Sequence, residues 1–276
     1  MRPIYRVAKA TFNEGLRKRF LNGILIFAVL IIGTSWVFTY LQPGAELKML
    51  IDVGLGSIRF FGMLIAIFLG TRLIPDEIEK RTIYTLLAKP VTRTQFMIGK
   101  YLGGLGTVIS NVLVMGITFY IVFAIKAPQF RDMAATAPGE SASYSMNFMY
   151  ANVAKAIGLN FFELAVVMGI AVVSSVVFSW ILGAIFTFFV YFVGQMSSFF
   201  GHLADPSHTD TSPLARIVLG TVYRVLPHFE NFDIRKSILK DIPVTWEHMG
   251  KVAGMGAIYL VIVLMLGYLV FNDREV

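Results

Sequence analysis

The side chains able to do chemistry fall in three places along this chain. All four histidines, His202, His208, His228 and His248, lie in the segment Gly201–Lys251 beside Asp205, Asp210, Glu230 and Asp233. Imidazole with carboxylate could hold zinc or copper. The spacing matches no compact metal motif, so no metal site is assigned. Arg59 and Glu163 stand alone in long apolar stretches, where a charge must pair, reach water or snorkel to a headgroup. The third place is a polar island between Arg72 and Lys100, RLIPDEIEKRTIYTLLAKPVTRTQFMIGK. Serine is plentiful, but no Ser/His/Asp grouping falls on one face, and no catalytic residue is assigned. With no cysteine there is no disulfide or thiol chemistry to consider.

The elements that position these residues are set by composition. Hydrophobic residues make up 56% of the 276 and charged residues 15%, against about 25% charge in a soluble domain. An all-α integral membrane protein follows. A hydrocarbon core of about 30 Å takes about 20 helical residues, and uncharged runs of that size occur at Phe20–Leu41, Tyr101–Ile125 and Val252–Phe271. Leu164–Ala204 is uncharged over about twice that length, so it is divided near Ser174, Ser175 and Ser179. The expectation is six spans, at about 20–41, 53–71, 101–125, 157–178, 180–200 and 252–271, in one domain over 1–276. Residues 126–155 and 201–251 are expected outside, with Arg216–Leu226 forming a short helix that dips into the outer interface. The polar residues ahead of the first run do not resemble a cleaved signal peptide.

Lys and Arg set the orientation. Arg2, Arg6, Lys9, Arg17, Lys18 and Arg19 precede the first span against one acid, Glu14, and the island holds Arg72, Lys80, Arg81, Lys89, Arg93 and Lys100. By the positive-inside rule both are cytoplasmic, as is the C-terminal tail after six spans. The net charge of +7 is then mostly topology and calls for no nucleic acid. Ile4, Val7, Ala8, Phe12, Leu16 and Phe20 follow helical spacing, which predicts an amphipathic interfacial helix over 1–19. That helix either anchors the chain or also braces a cytosolic partner.

Within the island, Pro75 with Asp76, Glu77 and Glu79 suits a first helical turn, because proline lacks a donor that would be orphaned there and acids face the positive helix end. Lys89 and Pro90 supply a stop. Thr92 with Gln95 has the form of a capping box that starts the next helix. A short capped helix held between two spans can pass a push into both.

At these residues the chain resembles type-2 ABC exporter permeases. DEIEKRTIYTLLAKPVTRTQFMIGKYLGG is similar to the family's region between spans two and three, KATFNEGLRKRF to its basic helix, and LPHFENFD at 226–233 to a stretch before its last span. The resemblance implies a permease that pairs with a second half, as a homo- or heterodimer, driven by cytosolic ABC ATPase subunits. Residues 75–88 would be the coupling helix, with Pro75, Asp76, Glu77, Glu79, Lys80, Arg81, Thr82 and Leu86 at the ATPase contact. No G-x-x-x-x-G-K-[ST] occurs, so ATP and magnesium are expected in the partner subunits and no cofactor in this chain. The family's second coupling element corresponds to Ser174–Gly183, which carries no charge.

For the pathway, Arg59 and Glu163 both sit ~20–24 Å from the cytoplasmic edge at about 1.5 Å per residue. They either pair along the outer part of the route or snorkel separately. In the family the second and fifth spans lie at the seam between halves, which makes Phe189, Phe192 and Gln195 candidates for gripping an apolar substrate. Gly99, Gly103, Gly104 and Gly106 permit close helix approach. Three functions fit: an exporter permease of the inner membrane for an amphipathic, lipidic or small solute; a membrane component that passes ATP-driven motion to an envelope partner without a through-pore; and an ATP-independent carrier or channel. The last would be expected to carry more intramembrane ionisable residues.

Overall fold

The computed structural model describes residues 2–41, 43–79, 92–136, 146–204, 213–239, 242 and 244–273, and these are helical with short connections. Helix α1 (Arg2–Arg17) leads into α2 (Arg19–Gly33), α3 (Ser35–Phe38) and a 3-10 turn. The long helices α4 (Glu46–Gly70), α6 (Arg93–Thr136), α7 (Met146–Val177) and α12 (Trp246–Asp273) are each long and apolar enough to cross a membrane. Between them lie the short α5 (Pro75–Glu79), then α8 (Trp180–Gln195), α9 (Ser197–Ala204), α10 (Pro213–Val225) and α11 (Arg235–Leu239). Two bent pairs add to the four, α2 with α3 at 47° and α8 with α9 at 58°, giving up to six spans among the described residues. The first bend follows Gly33, where the Thr34 hydroxyl donates back to the Leu30 carbonyl at 2.8 Å, a local bond that bends helices.

The centre is α4 and α7. In their most apolar windows 67% and 72% of residues are buried, against 17% for α12, so α12 is a peripheral helix with one face open. Between α4 and its neighbours the space is filled by Leu50, Ile51, Leu55, Ile58, Phe119 and Phe123, all essentially inaccessible.

Two expected boundaries move. Residues 126–136 belong to α6 and 146–155 to α7, so the expected outer loop shrinks to 137–145, outside the described residues. Pro128 removes one helical hydrogen bond, but Met115, Phe119, Phe123 and Ala127 form a fully buried stripe at four-residue spacing that carries the helix through it. Likewise α4 begins at Glu46 rather than 53, because Leu50 and Ile51 are already in the core.

The small residues of α6 receive α1. A Cβ at Gly99 would lie 2.8 Å from Val7 Cβ, one at Gly103 2.6 Å from Thr11 Cβ, and one at Gly106 3.1 Å from the Phe12 ring. Contacts advance in the same direction on both helices, so α1 runs parallel to the first turns of α6. The face of α1 expected to meet lipid is partly covered by protein, with Val7 and Thr11 buried. The capping box is present: the Thr92 hydroxyl accepts from the Gln95 amide at 3.3 Å and the Gln95 side chain accepts from the Thr92 amide at 3.4 Å. The predicted short helix at 216–226 is α10, with Ile217 and Val225 strongly exposed.

Gly103→Ala places a methyl against the Ala8 carbonyl, a backbone atom that cannot swing away. It should destabilise the protein by about 1–3 kcal/mol and increase proteolysis of α1. Gly254→Ala, where nothing lies within 4 Å, should be neutral or stabilise by up to about 1 kcal/mol. Thermal unfolding in detergent reads both.

Candidate functional site

Two polar constellations lie along α4, one just past its C-terminal end and one at its middle. The first surrounds Pro75–Glu79, where the chain leaves α4 through a turn at 71–74. Asp76 accepts from Lys18 Nζ at 2.8 Å, and Glu77 is paired with Lys100 on α6. Lys100 is almost fully buried and also has Glu14 of α1 at 4.0 Å. The acidic pair expected to face a partner is therefore engaged inside the chain, tying α5 to α1 and α6 at once. Glu79 is exposed. Lys80, Arg81, Thr82 and Leu86 lie outside the described residues.

Sequence reading missed Lys18, Lys100 and Glu14 as members of this site. The two lysines were already accounted for by topology, and nothing local marks a cation that must find a carboxylate 58 positions away. Beside this junction Arg72 Cζ lies 4.1 Å over the Trp180 ring, joining the end of α4 to the first residue of α8. The α7–α8 turn is itself pinned: Ser174 Oγ donates to the Gly183 carbonyl at 3.2 Å and lies 2.9 Å from Thr187 Oγ1.

The second constellation is the buried cluster around Arg59. Its Nε donates to both Glu163 oxygens at 3.0 and 2.8 Å, Nη2 to Glu163 Oε1 at 2.8 Å and to the Phe229 carbonyl at 2.9 Å, and Nη1 to Asp233 Oδ2 at 2.8 Å. Gln195 Nε2 donates to Glu163 Oε1 at 2.6 Å. Arg235 Nε in turn donates to Asp233 Oδ1 at 2.9 Å. The planar fork of arginine suits this, since Nε and Nη2 share Glu163 along one edge while Nη2 and Nη1 also reach Phe229 and Asp233. Two arginines face two carboxylates, so the cluster is neutral as a whole.

Of the two alternatives for Arg59 and Glu163, pairing is the one observed, and separate snorkelling is not. Glu163 is fully buried and Arg59 is 8% exposed, so the pair joins helices and does not line an open surface of this chain. Gln195 joins them. Phe189 and Phe192 do not: they are 64% and 56% exposed on the outward face of α8. The approach of residues 227–229 is made possible by Gly194, where a Cβ would lie 2.6 Å from Phe229 Cδ2 and 2.7 Å from the Pro227 carbonyl. Among the described residues no group of three His, Asp or Glu side chains converges in a way that could hold a metal. Asp205, His208 and Asp210 lie outside them.

A single chain thus offers a charged junction, a second polar cluster and packed helices between. The comparisons with known proteins bear on the chain as a whole. A family model described as ABC-2 family transporter protein matches residues 5–276. The chain belongs to the ABC-2 transporter family. Among relatives, it is 32% identical over 120 residues to the "Probable ABC transporter permease protein NosY" of Stutzerimonas stutzeri, a match covering 42% of this chain and 43% of that protein. The protein of the same name from Pseudomonas aeruginosa is 32% identical over 127 residues, 44% of this chain and 46% of the relative. The matched region spans less than half the length of these curated relatives. As a member of this family with several helices long and apolar enough to cross a membrane, the chain is a multi-pass membrane component of an ABC transporter.

Asp233 lies outside the spans. Burial would raise its pKa, but hydrogen bonds from Arg235 and the charge of Arg59 outweigh burial and hold the carboxyl below its ordinary value. Because the folded value is the lower one, this contribution is full above the unfolded carboxylate range and is lost as pH falls through the folded value. Proteolysis of residues 226–239 should increase in acid, and Asp233→Asn should remove most of that pH dependence.

Within the cluster, Arg59→Met leaves a fully buried Glu163 without its cation, held only by Gln195 and Tyr191, and should cost about 3–5 kcal/mol. Glu163→Gln leaves Arg59 its bonds to Asp233 and Phe229 and should cost less, about 1–3 kcal/mol. Arg59→Met with Glu163→Leu should be milder than Arg59→Met alone. Equal thermal unfolding midpoints for all three would contradict a cluster organised by Arg59.

Proposed function

We propose that this chain is the permease half of an ATP-driven exporter in the inner membrane, with both termini cytoplasmic. It pairs with a second permease half and takes its stroke from cytosolic ATPases through residues 75–88. ATP and magnesium belong to those partner subunits. The observation that carries the reading is the junction at α5, where Lys18–Asp76 and Glu77–Lys100 tie one short helix to α1 and α6 while α4 runs directly into it. A push on α5 therefore reaches two helices through charge pairs and one through the backbone.

The contact surface then narrows. Asp76 and Glu77 hold the helix in place from within, and Glu79, with Lys80, Arg81, Thr82 and Leu86 beyond it, faces the ATPase. The interior of one chain is packed along α4, α6 and α7, which favours a route between two halves over a route through one. The exposed Phe189 and Phe192 suit an apolar or amphipathic substrate on that face.

A second reading has its own support. Arg59 on α4 holds Asp233 of the segment 226–239, so the helix that enters the junction at one end grips the polar segment midway along its length. Such a chain could deliver ATP-driven motion to an envelope partner without a through-pore. Membership in the ABC-2 family leaves the ATP-independent carrier without support.

Glu79→Lys combined with Arg81→Glu should reduce co-purification of the ABC ATPase about tenfold or more, the loss of about 1.4 kcal/mol, with the permease still folded. Full retention of the ATPase would overturn the coupling assignment. Glu77→Lys is the poorer probe, since it places a cation against the buried Lys100.

A further inference from the structure

Lys100 is the buried cation of the charged junction, and carboxylates from two different helices lie within its reach. Its ammonium is in contact with Glu77 of α5 and has Glu14 of α1 at 4.0 Å. A movement of about 1 Å would bring Glu14 into charge-assisted hydrogen-bond range. The flexible stem of lysine, with its rotatable donors, allows that movement while the backbone of α6 stays still.

The two carboxylates are mounted differently. Glu14 rides on a helix set firmly against α6, where Gly99 and Gly103 leave room only for the Ile4 and Ala8 carbonyls. Glu77 rides on a helix of five residues. The neighbouring tie, Lys18–Asp76, is partly exposed, so its ions can part into water at little cost. Lys100 has no such freedom. It is almost fully buried, and the cleft it shares with Thr11, Glu14, Lys18, Asp76 and Glu77 is too narrow for a water molecule. Losing Glu77 with nothing in its place would strand a buried charge. The α1 side of the cleft supplies the replacement: Glu14 and, one turn before it, the hydroxyl of Thr11, which is buried and meets no hydrogen-bond partner among the described residues.

We infer that Lys100 is a positioning residue handed from one carboxylate to another during the ATP-driven stroke, held by Glu77 while α5 is seated and by Glu14 with Thr11 once α5 is drawn away from α6. The handover rests on the coupling reading of residues 75–88 and adds to it that the second position of the stroke is built into α1. Glu77 leaves with α5 towards the cytosol, where water takes its charge, while the ammonium of Lys100 stays paired throughout. Helix α1 is then the fixed member against which α5 moves.

The test uses the full chain co-purified with its ATPase in nanodiscs and measures the dissociation constant of a non-hydrolysable ATP analogue. Nucleotide favours one end of the stroke, so a substitution that weakens either end shifts the apparent affinity. Glu14→Gln and Glu77→Gln weaken opposite ends and should shift it in opposite directions, each by about threefold or more. Thr11→Val should follow Glu14→Gln with a smaller shift. In a Lys100→Met background neither glutamine substitution should shift it. Shifts of one sign, or unchanged affinity in both single variants, overturn the handover, because two acids that only held the fold together would act alike. Should Lys100→Met fail to assemble, the signs of the two single variants decide. Failure of the coupling reading itself is distinct, since it shows as full retention of the ATPase in Glu79→Lys with Arg81→Glu.

Discussion

The structure depends on keeping one guanidinium charged in an apolar interior. Desolvating Arg59 is costly, and the cost is met only because Glu163 from one part of the chain and Asp233 with the Phe229 carbonyl from another surround it. Each partner brings its element along. Glu163 fixes the depth of α7 against α4, Gln195 fixes the far end of α8, and Asp233 draws in the segment whose Phe229, Phe232, Ile234 and Ile238 are buried. Apolar packing alone would leave these helices free to slide, since one greasy surface fits another in many registers. A bidentate ion pair fits in one.

The same logic recurs where α4 runs into α5, with smaller stakes. Lys100 is buried and meets Glu77 and Glu14, whereas Lys18 and Asp76 are partly exposed. The buried pair sets position and the exposed pair is the one more open to exchange. Close backbone approach at Gly99 and Gly103 makes this possible by bringing α1 against α6. Without those glycines the helix carrying Glu14 and Lys18 would stand too far off.

What could be read from the sequence was what is local or costly. The Thr92–Gln95 capping box spans three residues and is present as read. Arg59 and Glu163 were conspicuous because a lone charge in a span demands an explanation. Asp233 and Arg235 were not, because charges in a polar segment are ordinary and Asp233 is 174 positions from the arginine it serves. The reach of α6 past Ile125 was hidden by Pro128, whose local penalty is visible in sequence while the stripe ending at Ala127 becomes decisive only once packed. Asp76 and Glu77 were placed correctly on a short helix but given an outward task. Their partners, Lys18 and Lys100, had already been assigned to the orientation of the chain in the bilayer.

The length of α6 gives the architecture a mechanical ratio. Its 44 residues make a rod of roughly 66 Å, more than twice the thickness of a hydrocarbon core of about 30 Å. One end carries α1 and Lys100; the other runs to Thr136, far beyond the cluster at Arg59. A tilt of about 10° about its midpoint would swing each tip by roughly 6 Å, about one helical turn, while residues near the pivot move by a fraction of that. A tilt about a fulcrum in the packed core would therefore return a displacement at the charged junction as one of equal size and opposite sense at the far face.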